Sequence, residues 1–307
     1  MAVTDNLAIL AQNHFDSSLS YTEGPVFDLV LDFSSETYAD SSGTNPLPVS
    51  NMADSSLDIP WRSLSTNKNW SWFQVDLGAA RVFDGAVLVD TNLTTSAKWR
   101  VLTSSSPDFV NITYDSGLIS ARPPSVSYGS LPWGSFPWGG QISSEGSVNP
   151  YNIDCFMAVT GQAVRYVRIY IEDENNPDGF VSVGRCILSP IYQPSYNMSY
   201  GWNVSWVDES TVTRSYGGAV FADERRRYRR LKVSLDFLTE DEMYLNIFDY
   251  MHRRKGIVSD MYVIPQPSKP DKFIFEAMYC RMDSLNPVTN PMHELRSCEL
   301  SFEEIGI

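Results

Sequence analysis

The chain has 307 residues, a formal net charge of -14, 43% hydrophobic and 20% charged residues. That length allows two ordinary domains, and the composition is that of a globular protein. The negative balance argues against a general nucleic-acid binder, which needs a positive field to hold phosphates, and no apolar run approaches the roughly 20 residues of a membrane-spanning helix.

The amino terminus, MAVTDNLAIL, carries Asp5 early and no basic stretch, so no signal peptide is expected. The first 50 residues read as an arm or lead-in to the first domain. From Trp72 the segment WFQVDLG alternates, with Phe73, Val75 and Leu77 on one face and Gln74 and Asp76 on the other, as a half-buried strand requires. FDGAVLVDTN follows, then KWRVLTSSSPDF, in which Trp99, Val101 and Thr103 share a face. In VRYVRIYIED, Val167, Ile169 and Ile171 alternate with Arg168 and Tyr170. NNPDG then offers a turn, Pro177 fixing φ and Gly179 supplying a positive one, before the strand Val181–Leu188. Short strands at this spacing, with no amphipathic helix between them, predict a β-sandwich over residues 51–197.

These same segments, WFQVDLG, GAVLVDTNLTTSAKWRVLTSSS and RYVRIYIED, resemble the discoidin, or galactose-binding-like, jelly roll. The resemblance implies a fold; its members bind sugars or lipids or act as spacers, so it leaves the ligand open. Within this domain the long Gly-, Pro- and Ser-rich stretch after Asp115 contains LPWGSFPWGG, which displays Trp133, Phe136 and Trp138. Such a loop has three uses: packing on its own sandwich, contacting a partner protein, or stacking on a sugar ring.

Prolines at 190 and 194 mark a linker, and the second domain is placed at 198–307. RRRYRRLKVSLDFL ends as a strand with Leu231, Val233, Leu235 and Phe237 facing inward. TEDE then starts a helix, expected over about 240–255, with Thr239 and Glu242 forming a capping box and Met243, Tyr244, Ile247, Phe248 and Met251 on its apolar face. SDMYVIPQP, KFIFEAMYCRM and LRSCELSFEEI are further strands. The fold class is therefore mainly β: a discoidin-like sandwich followed by a β-sandwich or split barrel with one helix.

That strand–helix–strand order, with its terminal SFEEI, resembles the distal-tail and tube-like proteins of tailed bacteriophages. The combination implies a structural component of a phage tail tip or baseplate, made in the host cytoplasm and built into the virion as a homo-oligomeric ring or collar. Its partners would be other copies of itself, other tail-tip or tube proteins, and a host-surface glycan; neither membrane nor sequence-specific nucleic acid is implied. The alternative is a carbohydrate-binding adhesin working through the Trp133 and Trp138 loop.

Little catalytic chemistry is legible. His14, His252 and His293 are scattered without metal-ligand spacing, and no G-x-S-x-G elbow, P-loop or dinucleotide fingerprint occurs. Carboxylate pairs are unavoidable in an acidic chain and point to nothing specific. No enzyme, cofactor or metal is expected. DENNPDG offers oxygen ligands but lacks the alternating order of a calcium loop, so it reads as a turn. The cysteines, Cys155, Cys186, Cys280 and Cys298, form no CxxC and read as buried thiols. The sequons at Asn69, Asn92, Asn111, Asn197 and Asn203 read as chance in a chain rich in Asn and Ser, and they leave a secreted alternative open. The positive run RRRYRRLK admits DNA contact, a solvated strand edge, or an interface; Arg225, Arg226, Arg227, Arg229 and Arg230 are expected to pair with carboxylates of a neighbouring subunit.

Overall fold

The computed structural model describes residues 7–10, 20–23, 47–53, 55–66, 71–94, 96–121, 153–268, 273–292 and 295–306. The chain divides into two units, one holding Gln12–Pro190 and the other joining Val3–Ala11 to Ile191–Ile307. The strands in chain order are β1 (Ala8–Leu10), β2 (Ser20–Glu23), β3 (Trp61–Arg62), β4 (Trp72–Thr91), β5 (Lys98–Ser104), β6 (Ile112–Asp115), β7 (Ile119–Ser120), β8 (Ile153–Glu172) and β9 (Ser182–Ser189). They continue with β10 (Ile191–Tyr192), β11 (Asn203–Val207), β12 (Thr211–Arg214), β13 (Val220–Asp223), β14 (Tyr228–Leu238), β15 (Asp260–Ile264), β16 (Met278–Ser284), β17 (Thr289–Met292) and β18 (Leu295–Glu304).

In the first unit β4 and β8, each 20 residues long, pair along their lengths and fold over together. Their register slips between Asp76 and Arg81 and again between Phe83 and Gly85, near Gly78 at φ 73°. The first half of β4 pairs with β2, and its second half with β9. Phe73, Val75, Val101, Val167 and Ile169 from one half and Leu88, Met157 and Val183 from the other fill a single core with Trp61 and Trp99. This is the sandwich expected, and the alternation in WFQVDLG, KWRVLT and RYVRIYIED is its cause. Gln74, expected to face outward to water, is buried because Arg168 lies over it and donates to its Oε1 at 3.2 and 2.8 Å. Arg168 is in turn stacked on the Trp72 and Phe109 rings, 4.5 and 4.2 Å from their centroids.

The second unit is an antiparallel sheet in the order β10-β1-β15-β16-β18-β14-β11, with β17 beside β18. The strand β1 comes from LAIL, part of the expected amino-terminal arm; its residues are buried between β10 and β15. Three residues are too few to show a periodicity, and the partners lie far along the chain.

Thr239 and Glu242 form the expected capping box. Beyond Glu242 the helix is a π-helix, Met243–Lys255, ending with Gly256 donating to the Met251 carbonyl at 2.8 Å. The wider i→i+5 winding brings residues four apart into line. Met243, Ile247, Met251 and Lys255 are therefore buried, while Tyr244 and Phe248, expected on the same face, are exposed. A bulge in β14 between Leu235 and Leu238 similarly reverses the expected alternation, since one inserted residue swaps the faces. Leu238 is 1% exposed and Phe237, expected inside, is 48% exposed against the Tyr196 ring.

Candidate functional site

Register brings several chain segments to one end of the first unit. Thr91 pairs with both Ile153 and Val183, Lys98 with both Glu172 and Ser120, and Arg62 with Ser182. The β4–β5 loop, the β8–β9 loop and the stems of the segment between β7 and β8 therefore emerge together. The Ala121 amide fixes one stem by donating to the Ala97 carbonyl at 2.9 Å. That segment carries Trp133, Phe136 and Trp138, which lie outside the described residues.

The two described loops are tied into one polar floor. Asn92 Nδ2 donates to Asp178 Oδ2 at 2.9 Å and to the Phe180 carbonyl at 3.0 Å, while its Oδ1 accepts from the Ser182 amide at 2.8 Å. Asn176 Nδ2 donates to the Asn92 carbonyl and to Asp173 Oδ2, both at 3.0 Å, and its Oδ1 accepts from the Asp178 amide at 3.0 Å. Asp173 also accepts from the Thr94 amide at 2.9 Å and from the Thr94 hydroxyl at 2.5 Å. Both oxygens of this buried carboxylate are thus engaged by donors of the chain itself. Asn176 and Gly179, at φ 75°, close the expected NNPDG turn through a 3.1 Å bond from the Gly179 amide.

Beside this floor the Arg62 guanidinium sits 3.4 Å from the Phe180 ring centroid. Just before the β4–β5 loop, Asp90 adopts φ 55° and its amide donates to Asp154 Oδ1 at 3.0 Å. Gly184 lies against it, where an added Cβ would meet the Asp90 Cβ at 3.0 Å. Asp178, Glu174, Asn175 and Ser96 remain exposed at the rim. Chemically, this end offers fixed amide, carboxylate and guanidinium groups around an aromatic ring. No group of three His, Cys, Asp or Glu side chains able to hold a metal occurs among the described residues. The sequence marked Asn92 only as a sequon and Asp173–Gly179 only as a turn; neither motif signals that the two loops interlock.

The five arginines of the positive run have different surroundings. Arg229 is buried and donates to Glu304 at 3.0 and 2.5 Å and to the Phe275 carbonyl at 2.9 Å. Arg230 lies 3.4 Å from Asp283 and 3.8 Å from Glu303, and Arg227 donates to Asp208 at 2.7 Å. Serine 210, through its hydroxyl and amide, together with Arg227, holds the Asp208 carboxyl down at about 2. Arg225 is exposed, 3.7 Å from Asp223, and exposed Arg226 lays its guanidinium over Gly306. Of the histidines, His252 sits half-buried on the π-helix near Phe248, burial holding its pKa below the ordinary value. His14 and His293 lie outside the described residues. All four cysteines are buried free thiols; burial pushes Cys186 up to about 12.

No family model and no curated protein matches the chain. Among solved structures it is similar to CpGH89CBM32-5 from Clostridium perfringens, solved with GalNAc-β-1,3-galactose, at 10% identity over 56% of this chain and 95% of that one, with a TM-score of 0.31. CBM32-1 from a family 31 glycoside hydrolase of the same organism gives 12% identity over 56% and 94%, TM-score 0.30. An F-lectin (fucolectin) from striped bass serum gives 9% over 93% and 95%, TM-score 0.31. At these scores the assignment of the fold rests on the strand register above.

Proposed function

We propose that the first unit is a non-catalytic carbohydrate-binding module, with its binding surface at the end where the loops converge. The observation that carries this reading is that Ala121 and Ile153, the two ends between which Trp133 and Trp138 lie in sequence, meet beside the Asn92–Asp178 floor and the Arg62–Phe180 stack. Sugars are bound by an apolar ring face and by directional hydrogen bonds together, and this end has the residues for both. Asp173 serves the floor, so binding should not depend on calcium.

The test is titration of the full chain against a panel of neutral hexose and N-acetylhexosamine oligosaccharides. At least one is expected to bind, and Trp133→Ala or Trp138→Ala to weaken it by roughly tenfold, the loss typical of an aromatic anchor. Failure of the whole panel, or binding indifferent to both substitutions, would overturn the reading.

A second reading makes the whole chain a component of a phage tail tip or baseplate. It rests on the strand–helix–strand pattern of residues 198–307 and on an exposed hairpin in the second unit, which a free-standing lectin does not need. Under it the glycan module would contribute host-surface attachment, and recovery of the chain in purified virions would test it.

A further inference from the structure

Among the described residues, Asp90 and Phe109 are the two other than glycine that hold a positive φ. An L side chain is crowded there by its own backbone, and aspartate is one of the few that tolerate it. Strain of this kind persists only where the surroundings over-determine it, and it gathers at binding sites. The register shows its use at Asp90. From Leu88 to Thr91 the strand β4 advances three residues while its β8 partners, Cys155 to Ile153, advance two. Asp90 lies inside that slip, so β4 carries a bulge toward β8. On the other side the ladder to β9 is unbroken, with Leu88 against Cys186, Val89 against Arg185 and Thr91 against Val183. Past Thr91 the chain therefore parts from β8 and stays with β9. There the Asn92 amide donates to the Ser182 carbonyl at 3.4 Å, and Asn92 Oδ1 accepts from the Ser182 amide at 2.8 Å. The bulge delivers Asn92 to the floor.

Two features hold the bulge. The Asp90 amide donates to Asp154 Oδ1 at 3.0 Å, which ties the end of β4 to the start of β8. Opposite Asp90 on β9 stands Gly184, where an added Cβ would meet Asp90 Cβ at 3.0 Å, Asp90 Oδ2 at 3.1 Å and Leu57 Cδ2 at 3.1 Å. The bulge has room only while residue 184 is glycine. The tie, in turn, fixes one end of the stretch in which Trp133 and Trp138 lie in sequence. We propose that Asp90, Asp154 and Gly184 are positioning residues of the sugar site: acting through Asn92 and the start of β8, they set where the binding groups stand. This inference rests on the glycan reading above.

The experiment titrates full-length variants with each neutral hexose or N-acetylhexosamine oligosaccharide that the wild-type chain binds, at a temperature where circular dichroism shows every variant folded. Gly184→Ala should weaken binding by roughly tenfold, the scale of one lost anchor contact. Adding Asp90→Gly to Gly184→Ala removes the Cβ and Oδ2 that the new methyl meets, keeps the amide, and accepts the positive φ without steric cost. The double variant should recover most of the affinity, which a loss caused only by a weakened core would not do. Asp154→Ala should also weaken binding, while Asp154→Asn, which keeps Oδ1, should hold it. A wild-type chain that binds, with Gly184→Ala and Asp154→Ala binding equally well, overturns the proposal and leaves the glycan reading standing. So does a loss in Gly184→Ala that Asp90→Gly does not repair. A wild-type chain that binds no sugar of the panel defeats the glycan reading itself, and the proposal falls with it.

Discussion

Asp173→Asn is the most direct probe of the loop floor. The native carboxylate accepts from the Thr94 amide, the Thr94 hydroxyl and Asn176 Nδ2, and it is 2% exposed. Asparagine keeps the shape but loses the charge, and its amide nitrogen must face a donor that formerly met an acceptor. Hydrogen bonds to a charged group are worth about 1.5–3 kcal/mol each, and a buried donor left unmet costs about 1–3 kcal/mol. Because the three bonds share one group they do not add, and the expected loss is about 3 kcal/mol. For a unit of this size that is a fall in melting temperature of about 6–12 °C. Six of the eight tryptophans lie in the first unit and only Trp202 and Trp206 in the second, so intrinsic fluorescence is weighted toward the first unit's transition, and a Trp202→Phe, Trp206→Phe background isolates it. Calcium should shift neither the wild type nor the variant. A wild-type transition that rises with millimolar calcium and falls with chelator would mean that Asp173 is a cation ligand, and would refute the reasoning.

The bulge in β14 predicts opposite outcomes for two neighbours. Leu238→Ala should cost about 2–5 kcal/mol, and Phe237→Ala, which gives up only an exposed ring contact with Tyr196, less than about 1.5 kcal/mol. Urea midpoints showing the reverse order would remove the bulge. At Glu242, burial opposes the charged form, but bonds from the Ser195 hydroxyl and amide and from the Thr239 amide and hydroxyl outweigh it and hold the carboxyl below its ordinary 4.5. A depressed folded value stabilises above the unfolded pKa and is lost as pH falls through the folded one. Wild-type stability should therefore drop more steeply than that of Glu242→Gln as pH falls below 4.5; equal slopes in urea titrations across that range would contradict this.

The sandwich was legible because its strands are half-buried. Phe73, Val75, Val167 and Ile169 must alternate with polar residues to serve one wet and one dry face. The capping box was legible because it is local, confined to Thr239 and Glu242. Legibility failed where a local rule was broken by something non-local. Phe237 and Leu238 exchange faces through a bulge that no residue type announces. Tyr244 and Phe248 turn outward because the hydrogen bonds of that helix span five residues, and apolar spacing alone suits either winding. The arginine run read as one feature, yet Arg229 is buried on Glu304 while Arg226 is exposed over Gly306. At the candidate site, Asn92 and Asp178 are 86 residues apart, and a single sequence gives no sign of their bond.

The path of the chain explains how two separate cores fit one polypeptide. It leaves the second unit after β1 and returns in β10, and these strands are hydrogen-bonded partners with Leu10 opposite Ile191. The first unit is therefore an insertion whose exit and entry are fixed side by side, so accommodating it asks little of the host sheet in loop-closure entropy. Each unit has its own apolar core, one around Trp61 and Trp99 and the other around Leu300 and Phe302. The proposed glycan site, carried by residues between 62 and 181, then rests on a core of its own. Damage to the other core should leave it intact: Leu300→Ala, a buried truncation in the second unit, should lower that unit's stability by about 2–5 kcal/mol and leave the sugar titration unchanged. Loss of sugar binding in Leu300→Ala would mean that the two cores are not independent.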